Sequence, residues 1–189
     1  MNLKSKIFFT LILFMIFSNP KAKGAENLFL YRGTFSRNIE IEELSNFEKT
    51  KKPSNKLKSL MKITNQKEKE LHKVLSIKIE VPLKTSSKLM NSKIGEVFLG
   101  RLSKVIYPNK VFNKNLSTKA IRSGILLGSY RNNQKINLID FFEAYPNKNI
   151  AIDLNALIKT LKKVESLKEL IEFYSNSPFK KLKDGRSKT

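Results

Sequence analysis

The chain has 189 residues with 37 basic side chains, 16 acidic side chains, one histidine and no cysteine. The lack of cysteine excludes disulfides, thiol nucleophiles, thiolate metal ligands and a lipid-bearing N-terminal cysteine. A single histidine without cysteine also excludes the usual zinc-ligand sets. Stability must therefore come from the packing of apolar side chains.

Residues 1–24 have the layout of a secretory signal, with early lysines, the mostly apolar residues 7–17 and a short polar segment. At about 1.5 Å rise per residue the apolar stretch covers only roughly half of a 30 Å hydrocarbon core. Cleavage is therefore favoured, and an uncleaved membrane anchor is the alternative. Ala22 and Gly24 provide small residues before the scissile bond, which places the mature start at Ala25. We expect export to a periplasm, a lumen or the exterior.

The signal contains four of the 37 basic residues and none of the acidic ones, which leaves 33 against 16 and a net charge of +17. Such a field attracts anionic lipids, acidic glycans or acidic proteins. The alternative is compositional drift, since lysine, asparagine and isoleucine are abundant together. Lysine outnumbers arginine 31 to 6, which argues against a dedicated nucleic-acid site. The length predicts one domain over residues 25–176, and the basic residues 177–189 predict a disordered tail.

Residues 28–42 predict a β-hairpin at the start of the mature chain. An apolar run is followed by a turn at residues 33–36, and Ile39 and Ile41 then alternate with glutamates. A lone hairpin is marginally stable in water, so its apolar face must pack on other elements. Helices are expected to provide that surface.

From residue 43 onward apolar side chains recur every three or four positions, which is the period of amphipathic helices. Pro53 and Ser54 separate the first helix from the second, and Asn65 with Glu68 predicts a capped third helix. Residues 77–81 are predicted to be extended.

Ser92 is predicted to cap the next helix, and its expected apolar face consists of Ile94, Val97, Phe98, Leu102, Val105 and Ile106. Ser117 is predicted to cap the most apolar helix, which we place at the centre of the bundle. Gly124 and Gly128 lie on that helix at a spacing that permits close contact with a second helix.

Asn137 and Asp140 predict the start of a short helix that stops before Pro146. Residues 150–152 are predicted to be extended, and a long amphipathic helix is predicted over residues 153–174. The elements together indicate a mainly α fold, a multi-helix bundle with a small N-terminal β-hairpin.

Catalytic patterns are missing from the sequence. No G-x-S-x-G motif occurs, and His72 lies on a short helix where a surface role is more common than that of a general base. Paired acids lie among lysines on polar helix faces, which is typical of solvated surface. We expect no catalytic residue, no metal ligand and no cofactor.

Several short apolar patterns occur in a characteristic order: Leu30-Tyr31-x-Gly33-x-Phe35, Ile39-x-Ile41-x-x-Leu44, Ile94-Gly95-Glu96-x-x-Leu99, Ala120-Ile121-Arg122-x-x-Ile125-Leu126 and Phe142-x-x-Tyr145-Pro146. Together they resemble a cyanobacterial helical domain of unknown function that usually follows a signal peptide and precedes a predicted α/β-hydrolase domain in secreted proteins. The resemblance covers nearly the whole mature chain. Because the chain ends where the hydrolase part would begin, we expect the helical domain to stand alone.

The resemblance implies a location and an architecture but no catalytic residue. Five residues match its signature and are expected to be structural or to contact a partner: Tyr31, Gly33, Gly95, Glu96 and Arg122. Arg122 is the best candidate for a buried ion pair or a contact to a partner domain.

Three functional hypotheses follow from these features. The first is an exported, non-catalytic interaction module whose partner is a separately encoded hydrolase or another envelope protein. The second is a peripheral binder of anionic membrane or glycan surfaces. The third is an esterase-type hydrolase with an unrecognised site.

Overall fold

The computed structural model of the protein describes residues 24–161, which form eight helices and six short strands. The strands are β1 (Asn27–Arg32), β2 (Phe35–Glu40), β3 (Ile79–Glu80), β4 (Ile106–Pro108), β5 (Lys135–Ile136) and β6 (Asn149–Asp153). The helices are α1 (Ile41–Thr50), α2 (Asn55–Thr64), α3 (Glu68–Ser76), α4 (Leu83–Met90), α5 (Lys93–Leu102), α6 (Lys114–Arg131), α7 (Leu138–Ala144) and α8 (Leu154–Leu161). This confirms the predicted mainly α fold with an N-terminal strand pair.

The N-terminal hairpin is part of a four-stranded sheet with the order β2-β1-β6-β4. Strand β1 pairs antiparallel with β2 and parallel with β6, and β4 pairs antiparallel with β6. Leu28 lies opposite both Ile39 and Ile150, and all three side chains are buried. Strands β6 and β4 therefore extend the apolar face of the hairpin within the same sheet. Strands β3 and β5 form a separate two-stranded sheet.

The hairpin is shorter than the predicted range of residues 28–42, because Ile41 begins α1. The Ile41 amide donates to the carbonyl oxygen of Glu26 at 2.9 Å, and the side chain is buried. Ile41, Leu44 and Ser45 follow the helical spacing of three and four residues and are all buried. Residues 41–45 therefore fit a helical pattern as well as the two-residue alternation of a strand. The helix begins directly after Glu40, the last residue of β2 that pairs with β1.

Helices α6 and α7 pack closely through two glycines. A Cβ atom on Gly124 would lie 2.9 Å from Cε2 of Phe141, and one on Gly128 would lie 3.2 Å from the Asp140 carbonyl oxygen. The predicted close contact between two helices is confirmed. It places Ala120 and Ile121 in the core, as expected for a central helix.

The predicted helix starts are correct at two places. Ser92 Oγ accepts a hydrogen bond from the Gly95 amide at 3.2 Å and caps α5. Asn137 and Asp140 form a reciprocal capping box at the start of α7.

Two other predicted caps are wrong. Asn65 ends α2 in a left-handed conformation with φ 53° instead of starting α3. Asparagine tolerates that conformation and is common at both ends of helices, which makes the sequence signal ambiguous. Asn113 caps α6 in place of Ser117, whose hydroxyl donates to the Asn113 carbonyl from within the first turn.

The predicted apolar face of α5 is correct in part: Phe98, Leu102 and Ile106 pack against the core and Val105 is buried, although Val105 and Ile106 lie beyond the end of the helix at Leu102. Ile94 is 44% exposed and Val97 is 58% exposed, whereas Gly95, Leu99 and Gly100 are buried. Helix α4 was not predicted, because its polar composition hides its helical character. The last turn of α4 packs against the side of α5 that carries Gly95. Ile94 and Val97 therefore lie on the outer side of α5.

Only the first two turns of the predicted long helix, in α8, belong to the described residues. Residues 1–23 of the predicted signal, residues 162–174 of that helix and the predicted tail at 177–189 lie outside them. Between residues 24 and 161, none of the helices is long and apolar enough to cross a membrane.

Candidate functional site

His72 is the single histidine of the sequence and therefore the first candidate for a general base. Its Nε2 atom lies 2.8 Å from the carbonyl oxygen of Glu48 and 3.4 Å from Oγ of Ser76. The ring packs edge-on against Phe47 with centroids 5.8 Å apart. The pairing of His72 with Ser76 was not predicted, although their separation of four residues on a helix is a readable signal.

The contact with Glu48 determines which imidazole nitrogen of His72 carries a hydrogen. A carbonyl oxygen only accepts hydrogen bonds, so Nε2 must carry the hydrogen. A protonated Nε2 cannot take a proton from Ser76, and the pair is therefore not arranged as nucleophile and base. Glu48 lies in the last turn of α1, where carbonyl groups lack helical partners, so His72 caps the end of α1.

Acidic side chains do not gather into a metal site in the part of the chain that the structure describes, where no group of three potential ligands occurs. The hydroxyl of Tyr31 donates to Oδ1 of Asn109 at 2.7 Å and joins β1 to the loop after β4. Burial raises the pKa of Tyr107, and nearby Asp153 and Tyr31 raise it further. These groups form a polar cluster at one end of the sheet, and the raised pKa of Tyr107 keeps its hydroxyl protonated.

Two of the signature residues have backbone roles. Gly33 occupies the hairpin turn with φ +61°, and no atom lies within 4 Å of the position that a Cβ atom would take, so conformation rather than space requires glycine. A Cβ atom on Gly95 would lie 2.0 Å from the carbonyl oxygen of Leu89, so space requires glycine there.

The two charged signature residues do not meet each other. Glu96 is exposed in the first turn of α5, where a negative charge is favourable near the helix N-terminus. Arg122 is half-buried, and its Nε atom donates to the carbonyl oxygen of Met90 at 3.2 Å, at the end of α4. Across residues 24–161 Arg122 takes part in no ion pair, so its described contact is with backbone.

Residues 24–153 match the family described as "Alpha/beta hydrolase of unknown function (DUF1400)". The chain belongs to this family. No curated protein and no solved structure matches the chain. The match supports the association with α/β hydrolases that the sequence motifs suggested, and the family itself has no established function.

The part of the chain that matches DUF1400 lacks the serine motif of α/β hydrolases. Gly124 and Gly128 have the spacing of G-x-S-x-G, but Leu126 occupies the serine position and the stretch lies inside α6. In α/β hydrolases the serine lies at a sharp turn between a strand and a helix. The family name therefore assigns no catalytic residue within residues 24–153.

An open groove lies along α6, beside the loops after β4 and α7. We call it the α6 groove; its volume is about 270 Å³, and its lining consists of Pro108, Val111, Leu116, Lys119, Ala120, Ser123, Pro146 and Asn147. Leu116, Lys119 and Ser123 succeed one another at spacings of three and four residues, so one stripe of α6 forms a wall. The loops after β4 and α7 form the rest.

Acidic residues are scarce in the segment that contains most of this groove. Residues 84–131 contain ten basic side chains and one acidic side chain, Glu96. Within the described range none of the ten forms an ion pair; the ion pairs found there involve Lys56, Lys67, Lys135 and Lys148. The prediction from the sequence rested on the overall charge alone, although the scarcity of acidic residues in this segment can be read from the sequence.

Proposed function

We propose that the protein is an exported, non-catalytic accessory module of the DUF1400 family that binds a partner protein. The observation that carries the non-catalytic part of this proposal is the geometry of His72: its Nε2 atom donates to the Glu48 carbonyl, and among residues 24–161 no serine hydroxyl is hydrogen-bonded to Nδ1, the nitrogen left to act as a base. A helix cap is a structural role, and it leaves no serine of the described residues in place to give its proton to His72.

Export is part of the same proposal and rests on the signal-like residues 1–24. The family match starts at residue 24, next to the proposed mature start at Ala25, which supports a boundary at this point. A separately encoded hydrolase is the partner we favour, since the family is described as an α/β hydrolase and this region has no serine motif.

Chemical crosslinking in intact host cells, followed by purification of the tagged protein and mass spectrometry, tests the proposal. We expect one envelope protein to be enriched at both low and high salt. Enrichment of no specific protein across the salt series would contradict a partner-binding role. A protein of the same size and charge with scrambled sequence order is the matched control for nonspecific basic adhesion.

A second candidate function is supported by the charge of the surface. A mature net charge of +17, with ten basic residues free of ion pairs between residues 84 and 131 of the described chain, favours binding to anionic membranes or glycans. Each lysine near an anionic membrane contributes about 1 kcal/mol. Flotation with vesicles that contain or lack phosphatidylglycerol tests this function, and binding that is insensitive to salt would exclude it.

A further inference from the structure

We propose that the α6 groove binds an acidic segment of a partner protein, with one apolar side chain of that segment inserted between α6 and the loops. The inference rests on the proposed partner-binding function and adds the surface and the chemistry of the partner. Three properties of the groove carry it: its size, its mostly apolar lining and nearby lysines that form no ion pair with described residues.

The size of the groove fits a side chain better than a small-molecule substrate. Ligand pockets usually have volumes of about 300–1,000 Å³ and enclose most of the ligand. The α6 groove is open and has a volume of about 270 Å³. It can therefore accept one or two side chains from a larger molecule that remains outside.

The lining of the groove is mostly apolar, although the groove faces solvent. Pro108 and Ala120 are buried at its base, and Val111 and Leu116 remain 43% and 50% exposed. An inserted apolar side chain would remove these exposed surfaces from water, which is the main favourable term in most protein association. Pro146 closes the other side with a further apolar ring.

The positive charges around the groove select an acidic partner. Lys119 lines it, and Lys110 directly precedes the lining residue Val111; neither lysine forms an ion pair with any described residue. The N-terminus of α6 adds a partial positive charge at the same end. Lys148, beside the opposite wall, is already neutralised by Glu26 at 2.9 Å. Complementary charge would speed the encounter and fix its orientation.

The shape of the surface favours a protein segment over a membrane. A helix that lies on a bilayer presents a continuous apolar face, whereas the exposed stripe of α6 alternates Leu116, Lys119 and Ser123. A planar bilayer surface also leaves a concave groove unfilled. A protruding side chain of a partner fills it.

The test uses the purified protein and two short fluorescein-labelled peptides in anisotropy titrations. In the first peptide a central leucine is flanked by glutamates, and in the second the same leucine is flanked by lysines. We expect saturable binding of the glutamate peptide only, with weakening as salt rises. We also expect ¹⁵N amide shift changes in the wild-type protein that are confined to residues lining the α6 groove.

Matched variants locate the binding surface. Leu116→Glu places a carboxylate in the groove and is expected to weaken binding about tenfold or more, a loss that corresponds to one buried apolar contact. Ile63→Glu is its control, because Ile63 is also on a helix and is 54% exposed, against 50% for Leu116. Lys119→Glu should weaken binding, and Lys49→Glu on α1 should leave it unchanged.

Equal weakening by Leu116→Glu and Ile63→Glu, or amide shift changes away from the groove, would overturn the inference. Failure of the glutamate peptide to bind, or binding of the protein only to phosphatidylglycerol vesicles, would also overturn it. These outcomes leave the proposed function standing if crosslinking still identifies a specific partner. If crosslinking in cells enriches no specific partner, the proposed function itself is overturned.

Discussion

The imidazole Nε2 of His72 lies 2.8 Å from the carbonyl oxygen of Glu48, so a side chain of α3 caps the last turn of α1. This contact gives His72 a structural role, which accounts for a histidine at this position. The role of His72 can therefore be measured as its contribution to the free energy of unfolding.

Replacement of His72 by phenylalanine keeps a ring against Phe47 but removes the hydrogen bond to Glu48. We expect a loss of about 1–2 kcal/mol in the free energy of unfolding, because a half-buried carbonyl loses its partner. Ser76→Ala is the control and should change stability by less than about 0.5 kcal/mol, since its contact with His72 is long at 3.4 Å. Urea unfolding followed by circular dichroism measures both; the reverse ranking would refute the capping role.

Two signature glycines should respond differently to alanine. Gly95→Ala should destabilise the protein by about 3 kcal/mol, because the new Cβ atom would lie 2.0 Å from the Leu89 carbonyl oxygen. Gly33→Ala should cost only about 1 kcal/mol, because φ is +61° but no atom is in the way. Thermal and urea unfolding of both variants tests the ranking, and equal losses would show that α4 can shift away from α5.

Two tyrosines allow a matched comparison of a hydroxyl with a partner and one without. Tyr31→Phe should cost about 1 kcal/mol, because the hydroxyl donates to Asn109 at 2.7 Å. Tyr145→Phe should be neutral or stabilising, because the Tyr145 hydroxyl is buried without a partner among residues 24–161, and burial raises its pKa. A strong loss of stability in Tyr145→Phe would reveal an internal water or another partner at this hydroxyl.

The mature protein is expected to begin at Ala25. Its amide donates to the Phe142 carbonyl oxygen at 3.3 Å, near the end of α7, and cleavage would place an ammonium group there. Positive charge is favourable at the C-terminal end of a helix, so cleavage is compatible with the fold. Intact-mass measurement of the exported protein tests this start; a mass that retains residues 1–24 would support the membrane-anchor alternative.

The fold class could be predicted from the sequence. Helix caps could be predicted where the residue pattern has one common structural role. The capping box of Asn137 and Asp140 and the cap at Ser92 are short-range patterns, and both were predicted correctly. Asn65 was misassigned because asparagine serves either end of a helix. Local patterns identify an element more reliably than they identify which end of it a residue occupies.

Contacts distant in sequence were not predictable in the same way. The pairing of β1 with β6 joins residues more than a hundred positions apart, and no local pattern specifies it. The exposed face of α5 depends on α4, which was not predicted, so Ile94 and Val97 were assigned to the core. The α6 groove brings together α6 and two loops, and only the structure shows that Pro108 and Pro146 line the same depression.

Intact-mass measurement after incubation with a fluorophosphonate probe tests the central claim most directly. This probe attaches covalently to the activated serine of α/β hydrolases, which depends on a base that accepts the serine proton. We predict no adduct on the folded protein, because Nε2 of His72 donates to Glu48 and no hydroxyl among residues 24–161 is hydrogen-bonded to its Nδ1 atom. A stoichiometric adduct on one serine of the folded protein, which does not form when the protein is heat-denatured before the probe is added, would contradict the proposed non-catalytic function.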